Sequence, residues 1–348
     1  MCAKALDLGT CFLVGAEYRD GKEVFTSERD AFFSMPNEDF AEDMLTKAGA
    51  FTLVRGDRIY VVGEDALRFS VMTGNEKDYR RPMARGVLNP GEEEAIAMIE
   101  VLIEAVVGKP SRPGEALAVT IPAPPVDAPL DPTYHRMVVE RLLRRLGYEV
   151  RTLNEALGVI FAENPTALVE GREIPFSGVA ISFGGGMMNV AASWKARRLF
   201  EFSLARGGDW IDQQVAQVRN LPVSKVTSFK ERKLNLERID ARDALSTALE
   251  IYHEELIRYL LDRLADQVRK SGAAFEEPIE LVLAGGTACP AGFVPLFERL
   301  VAAAPLPFPV RRIRLARDPL KAPAAGALIA ALAQERKTGS KFQVSSST

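Results

Sequence analysis

The stretch VAISFGGGMMNVAASW, residues 179–194, decides the fold. Two apolar runs, Val179–Phe183 and Met188–Trp194, flank Gly184-Gly185-Gly186 and read as strand, turn, strand. A turn of glycines leaves its backbone N–H groups bare, so they can face a phosphate oxygen with no side chain between. The N-terminal end repeats the pattern, with Ala3 to Asp7, a turn at Gly9-Thr10, then Phe12 to Tyr18. A hairpin with a glycine turn in each half predicts two related lobes. Three more segments follow in order: Asn154-Glu155-Ala156-Leu157-Gly158, Leu283-Ala284-Gly285-Gly286-Thr287 and Ala324-Ala325-Gly326-Ala327. Five such places, where backbone must come close to something else, predict one nucleotide gripped between two half-molecules.

Working outward, strand-like and helix-like stretches alternate. Arg58–Gly63, Ala116–Ile121, Glu149–Thr152, Glu280–Ala284 and Val310–Leu315 read as strands. Glu93–Val107, Pro132–Leu146, Glu155–Glu163, Trp210–Val218, Arg242–Lys270, Gly292–Ala302 and Pro323–Glu335 read as helices. The alternation predicts an α/β protein with mixed sheets.

Composition narrows the function. A chain of 348 residues, 47% hydrophobic, is long enough for two cored lobes. A net charge of −3 offers no global attraction for nucleic acid or anionic lipid. Cys2, Cys11 and Cys289 are too few and scattered for a disulfide framework, which fits a reducing compartment. With only His135 and His253, a metal held by side chains alone is not expected, although magnesium carried on a phosphate is compatible. No export signal or apolar run of membrane-spanning length is present, so a soluble cytoplasmic protein without membrane insertion is expected.

Several residues have both a chemical and a plain reading. Asp7 is the natural partner for magnesium bridging phosphates, directly or through water, or it is only the acid of a hairpin turn. Glu155 either orients the water that attacks a γ-phosphate or is a favourable first-turn acid of its helix. Gly285-Gly286 follows an apolar strand and can lie against a base or ribose. Lys230-Glu231, within the charged stretch KERK, can clasp an adenine or form a solvated helix face. Trp194 and Trp210 read as packing or interface residues, Cys289 as a small apolar filler, and Arg311, Arg312 and Arg314 as a solvated strand face.

The ordered set resembles the actin-type ATPase superfamily, which includes the seventy-kilodalton heat-shock chaperones and sugar kinases. The similarity runs from Ala5 to about Ala331 and is strongest to bacterial actins such as MreB and the magnetosome actin MamK. Tyr60 to Ala66 (YVVGEDA) and Arg81 to Leu88 (RPMARGVL) resemble segments of their first lobe, and Gly207 to Asp212 (GGDWID) the ribose-side segment. The resemblance implies a two-lobed fold, each lobe a mixed sheet flanked by helices, with the nucleotide in the cleft between lobes. Lobe I would span 1–152, with an outer subdomain at about 34–68, completed by the helix 323–338. Lobe II would span 153–322, with a reduced outer subdomain at about 209–260, followed by a flexible tail at 339–348.

By the same resemblance, Asp7, Gly9 and Thr10 serve the first phosphate turn and Gly184, Gly185 and Gly186 the second. Glu155 positions water, Gly207 and Asp209 lie at the ribose, Lys230 and Glu231 at the adenine, and Gly285, Gly286 and Thr287 form the adenosine loop. ATP or ADP with magnesium, a homopolymeric cytoskeletal filament and hydrolysis-driven disassembly are implied. Two departures stand out. Ser182 holds the place of the usual aspartate, with Met187 and Met188 replacing threonines, which predicts slow hydrolysis raised by Ser182→Asp. The short stretch from Asp209 to Gly285 predicts a trimmed outer subdomain and unusual subunit packing. The alternatives are a non-polymerising nucleotide-binding scaffold and a small-molecule kinase. A chaperone is disfavoured, because nothing after residue 335 could form a peptide-binding domain.

Overall fold

In the computed structural model, which describes residues 3–345 other than 39, 74–77, 164–166, 170, 171, 175 and 196, Ala3–Leu8 is the middle strand of a five-stranded sheet. The sheet runs in the order Glu149–Asn154, Ala116–Ile121, Ala3–Leu8, Phe12–Arg19, Lys22–Arg29. Ala3–Leu8 pairs parallel with Ala116–Ile121 and antiparallel with Phe12–Arg19. A second sheet has the order Val310–Leu315, Ile279–Ala284, Gly178–Phe183, Met188–Trp194, Arg197–Leu204. Its middle strand, Gly178–Phe183, again pairs parallel on one side and antiparallel on the other. The same strand order in both sheets bears out the repeat expected from the two glycine hairpins. The central strands are buried on both faces, which is why they read as unbroken apolar runs.

The chain divides into two units. The first comprises Met1–Val119, Thr133–Arg151 and Ala331–Thr348, and the second Thr120–Pro132 and Thr152–Ala330. Residues 120–132, expected in the first lobe, belong to the second unit because Val126 N–H donates to Ser203 O (3.0 Å) and Asp127 accepts from Ala205 N–H (2.9 Å) and Tyr259 OH (2.7 Å). The first unit also carries a smaller four-stranded sheet, in the order Thr52–Arg55, Arg58–Val62, Phe32–Pro36, Tyr79–Arg80. Helices Ala41–Lys47 and Glu64–Thr73 share with it a separate core of Phe33, Leu45, Ile59, Val61, Ala66 and Phe69.

Two edge strands, Lys22–Arg29 and Arg197–Leu204, escape the sequence patterns because polar residues dominate their exposed ends. The first had a signal in Asp20-Gly21, whose positive φ values of 52° and 77° form the two-residue turn suited to strand twist. In the second unit, the chain from Gly208 to Ser271 carries the helices Gly208–Arg219, Val223–Lys233 and Ala244–Ser271. Asp243 caps the long helix through Leu245 N–H, and Leu249, Leu256, Leu260, Leu264 and Val268 form its buried stripe. Each such leucine contributes roughly 1.5–3 kcal/mol on burial. The closing helix runs Ala322–Ser345, past the boundary expected at 338, since after Pro323 only Gly326 and Gly339 oppose propagation. Residues 346–348 of the expected tail, and Cys2, lie outside the described residues.

Both histidines are structural, one in each unit. His135 Nδ1 accepts from Leu88 N–H (3.3 Å), and His253 Nδ1 donates to Leu249 O (2.7 Å). Burial lowers each from 6.5 to about 4. Above pH 6.5 both are neutral in the folded and the unfolded chain. Between 6.5 and about 4 the unfolded chain takes up protons that the folded one refuses, so stability falls as pH falls. The loss reaches at most about 1.4 kcal/mol per pH unit for each histidine. Denaturant titrations at pH 7.5 and 5.0 are expected to show a difference that shrinks by about 2 kcal/mol in His253→Phe. Parallel pH dependence in parent and variant would rule this histidine out as the cause.

Candidate phosphate turns and the carboxylate site

In the first unit, the turn after Ala3–Leu8 closes with Gly9 N–H donating to Phe12 O at 3.1 Å. A Cβ on Gly9 would lie 2.7 Å from that same oxygen, so no larger residue fits the bend. Asp7 and Thr10 are both buried there. Thr10 Oγ1 accepts from Gly86 N–H (3.0 Å), and Arg81 reaches Thr10 O and Cys11 Sγ, both at 3.4 Å. The hairpin Met83–Ala84 and Val87–Leu88, turning at Arg85-Gly86, is thereby tied to the turn. The Arg81 to Leu88 segment had been noted only as a resemblance. Its contact with Thr10 has no local sequence signal, because the partners are 76 residues apart.

The second unit reproduces the bend closely. Gly184 N–H donates to Met187 O at 3.0 Å, and a Cβ on Gly184 would lie 2.8 Å from it. Gly9 and Gly184 are therefore equivalent, and so are Asp7 and Ser182, each two residues before its glycine.

Several predicted residues converge on this second turn. Gly208 N–H donates to Gly184 O (3.0 Å), Asp209 N–H to Gly185 O (2.8 Å) and Thr287 Oγ1 to Gly184 O (3.1 Å). Gly207 is required by closeness, since its Cβ would meet Gly185 O at 2.5 Å. Gly285, at φ 88°, would meet Phe183 O at 2.4 Å. Gly286 opens the short turn Gly286–Ala288.

Lys230 lies beneath this cluster. Its Nζ is 2.9 Å from Gly208 O and 2.9 Å from Asp212 Oδ1. Asp212 also accepts from Thr227 Oγ1 (2.7 Å), and burial raises its carboxyl from the ordinary value against the opposing pull of Lys230. Glu231, next in the chain, is exposed. In sequence Asp212 stood only as the end of the ribose-side segment Gly207 to Asp212; in the fold it lies one helical turn beyond Gly208 and pairs with Lys230.

Glu155 is the other focus. Asn154 caps its helix, accepting from Ala156 N–H (2.8 Å), and so places Glu155 at the first turn. Ser182 Oγ donates to Glu155 Oε1 (2.5 Å) and Asn189 Nδ2 to Glu155 Oε2 (2.8 Å). Asn189 Oδ1 in turn accepts from Ser203 Oγ (2.6 Å). The hydroxyl that replaces the expected acid is thus a donor to the catalytic candidate. Neither Asn189 nor Ser203 was anticipated; the available signal was a polar residue inside an otherwise apolar buried strand.

Other expectations resolve simply. Trp194 packs edge-on against Phe275 and Trp210 against Tyr252, as packing residues. Cys289 is exposed and its thiol reaches Gly285 O (3.6 Å), so it is not the apolar filler expected. Partial desolvation by its surroundings, together with Asp318, pushes the thiol up to about 11, so it is not a reactive thiolate at neutral pH. Arg311 and Arg312 are exposed, but Arg314 is not a solvated residue. It pairs with Glu163 (2.6 Å) and Glu280 (3.1 Å), because Glu163 is buried and needs a counter-charge. Among the described residues no group of three or more His, Cys, Asp or Glu could hold a metal ion, and no helix is long and apolar enough to cross a membrane.

The whole arrangement is the actin-like ATPase fold, and solved structures match it along nearly the full chain. The MamK double helical filament has a TM-score of 0.65 at 15% identity, covering 95% of this chain and 98% of that one. MreB5 of Spiroplasma citri bound to AMPPNP has a TM-score of 0.66 at 14% identity, covering 98% of each chain. The ethanolamine utilization protein EutJ from Carboxydothermus hydrogenoformans has a TM-score of 0.54 at 14% identity, covering 94% of this chain and 89% of that one. No curated protein matches the sequence. One family model does match, described as volactin, over residues 2–331. With the paired turns and the duplicated sheet inside that span, the chain belongs to the volactin family.

Proposed function

We propose that this protein binds ATP with magnesium, polymerises into a cytoplasmic cytoskeletal filament and hydrolyses the ATP slowly, with hydrolysis driving disassembly. The observation that carries the reading is the matched pair of bends at Gly9 and Gly184, where only a bare backbone fits (a Cβ would be 2.7 and 2.8 Å from a carbonyl oxygen). Bends of this kind present N–H groups to phosphate oxygens. The Gly9-Thr10 and Gly184 to Gly186 turns each serve nucleotide phosphates, and Gly207, Asp209 and the Gly285 to Thr287 turn lie on the nucleoside side of the second. MreB5 of Spiroplasma citri, which shares the fold, is described bound to AMPPNP and to ADP, and MamK as a double helical filament.

Magnesium would be carried mainly by phosphate oxygens, with Asp7 the residue that would hold it, directly or through water, since Ser182 brings no charge. When bound, it would neutralise charge on the phosphates. Glu155 accepts a hydrogen bond from the attacking water and aims its oxygen at the γ-phosphorus. The new O–P bond forms as the bond from the γ-phosphorus to the β–γ bridging oxygen breaks, and the water's proton ends on phosphate. ADP and phosphate leave. Because the γ-phosphate favours one conformation, its loss shifts the population toward one that stacks less well. Head-to-tail stacking joins two different surfaces of identical subunits, so it propagates rather than closes and gives open filaments.

Sedimentation and electron microscopy with ATP and magnesium are expected to show polymer that is absent without nucleotide and long-lived with AMPPNP. ATP uptake without polymer would favour the scaffold reading. Transfer of label from ATP to a sugar would favour the kinase. Calorimetry detecting no nucleotide uptake in the presence of magnesium would end the proposal.

A further inference from the structure

The polar row behind Glu155 is assembled by strand register. Ser182 pairs across the ladder with Asn189, and Asn189 with Ser203, so their side chains share one face of three adjacent strands. All three are buried to 1% exposure or less, among Phe, Val, Ala and Met neighbours. Burying such groups without partners costs about 1–3 kcal/mol each, so a row of three is retained only where its bonds are made. Each of those bonds leads toward one carboxylate. Ser203 Oγ donates to Asn189 Oδ1 (2.6 Å), which leaves Nδ2 to face Glu155 Oε2 (2.8 Å), while Ser182 Oγ holds Oε1 (2.5 Å). In the first unit the equivalent row is Asp7, Val14 and Ser27, which lacks an amide.

We propose that Asn189 is a positioning residue for Glu155, with Ser203 fixing the orientation of its amide and Ser182 bracing the second carboxylate oxygen. The proposal rests on the reading of Glu155 as the residue that orients the attacking water. Two donors from one strand pair, Ser182 Oγ and Asn189 Nδ2, fix the carboxylate plane. The row leads through its hydrogen bonds to the Glu155 carboxylate. It therefore acts on the rate of hydrolysis and not on nucleotide affinity.

The test is a double-mutant cycle on the full chain, with nucleotide affinity and single-turnover ATP hydrolysis measured for Asn189→Leu in the parent and in a Glu155→Ala background. Asn189→Leu is expected to slow hydrolysis about tenfold with Kd within twofold, and to cause no further loss once Glu155 is gone. Ser203→Ala is expected to slow hydrolysis by about threefold, and Ser203→Thr, which keeps the hydroxyl, to restore it. Equal losses in both backgrounds, or a Kd that moves in step with the rate, would mean a purely structural row and overturn the proposal. If Asn189→Leu does not fold, the Ser203→Ala and Ser203→Thr pair carries the same comparison. Parental turnover in Glu155→Ala alone would instead overturn the assignment of Glu155, and the positioning role with it. Loss of turnover in Glu155→Ala with silent Asn189 and Ser203 variants overturns the positioning role only.

Discussion

Gly326→Ala is expected to lower the melting temperature by about 6–12 °C, or to prevent folding, although alanine is the better helix former. A Cβ at this position would lie 1.7 Å from Gly158 O and 2.5 Å from Gly158 C, which are backbone atoms of another helix. No rotamer change relieves such a clash. Gly158 cannot make room either, because its own Cβ position is 2.6 Å from Pro323 O. The helices Glu155–Ala162 and Ala322–Ser345 must therefore separate, and the apolar packing of Ala156, Val159, Ile160 and Ala322 around them opens. Helix propensity would favour alanine by about 1 kcal/mol. Steric loss of roughly 3–5 kcal/mol outweighs that, and each kcal/mol corresponds to about 2–4 °C in a chain of more than 150 residues. Gly91→Ala is the control: its Cβ would meet nothing closer than Asn89 Oδ1 at 3.6 Å, so a change within about 0.5 kcal/mol is expected. A Gly326→Ala protein melting with the parent would show that the helices do not cross as closely as described.

Ser182→Asp is expected to make stability depend on magnesium. Ser182 is fully buried, and its hydroxyl is 2.5 Å from Glu155. An aspartate there sets two carboxylates against each other, and a buried pair of like charges must take up a proton or separate. Without divalent cation at pH 7.5 the variant is expected to lose about 3–5 kcal/mol. Because the pair can share a proton, the loss shrinks as pH falls toward 5. Magnesium with nucleotide offsets the repulsion, so the melting temperature recovers, and turnover per bound ATP rises above the parent's only in that condition. Ser182→Ala separates the effects, since it removes the donor without adding charge. A Ser182→Asp protein as stable as the parent in a chelator would mean that residue 182 does not face Glu155. Full recovery of stability without any gain in turnover would mean that serine is not the cause of slow hydrolysis.

These two cases differ in how visible they were beforehand. The glycine turns and most central strands were legible because each depends on local chemistry. Gly9, Gly184 and Gly285 leave no room for a Cβ, and strands such as Ala116–Ile121 and Ile279–Ala284 are short apolar runs bounded by breakers. The edge strands Lys22–Arg29 and Arg197–Leu204 were not legible from apolar periodicity, since half of an edge strand faces water. The segment 120–132 follows an apolar strand in sequence but is anchored by Asp127 to Tyr259, 132 residues away, and no local pattern encodes that distance.

By itself the sequence determined where backbone must be bare, and therefore the turns, their order and the duplicated α/β plan. Steric demands of that kind act within a few residues. Only the tertiary structure decided what the side chains around those turns do. Glu155 is 27 residues from Ser182 and 34 from Asn189, and Lys230 is committed to Asp212 and Gly208 beneath the turn. Such partnerships depend on strand register and on which helix crosses which face. A serine in place of an acid thus reads in sequence as a missing charge, and in the folded chain as a hydrogen-bond donor to the neighbouring carboxylate.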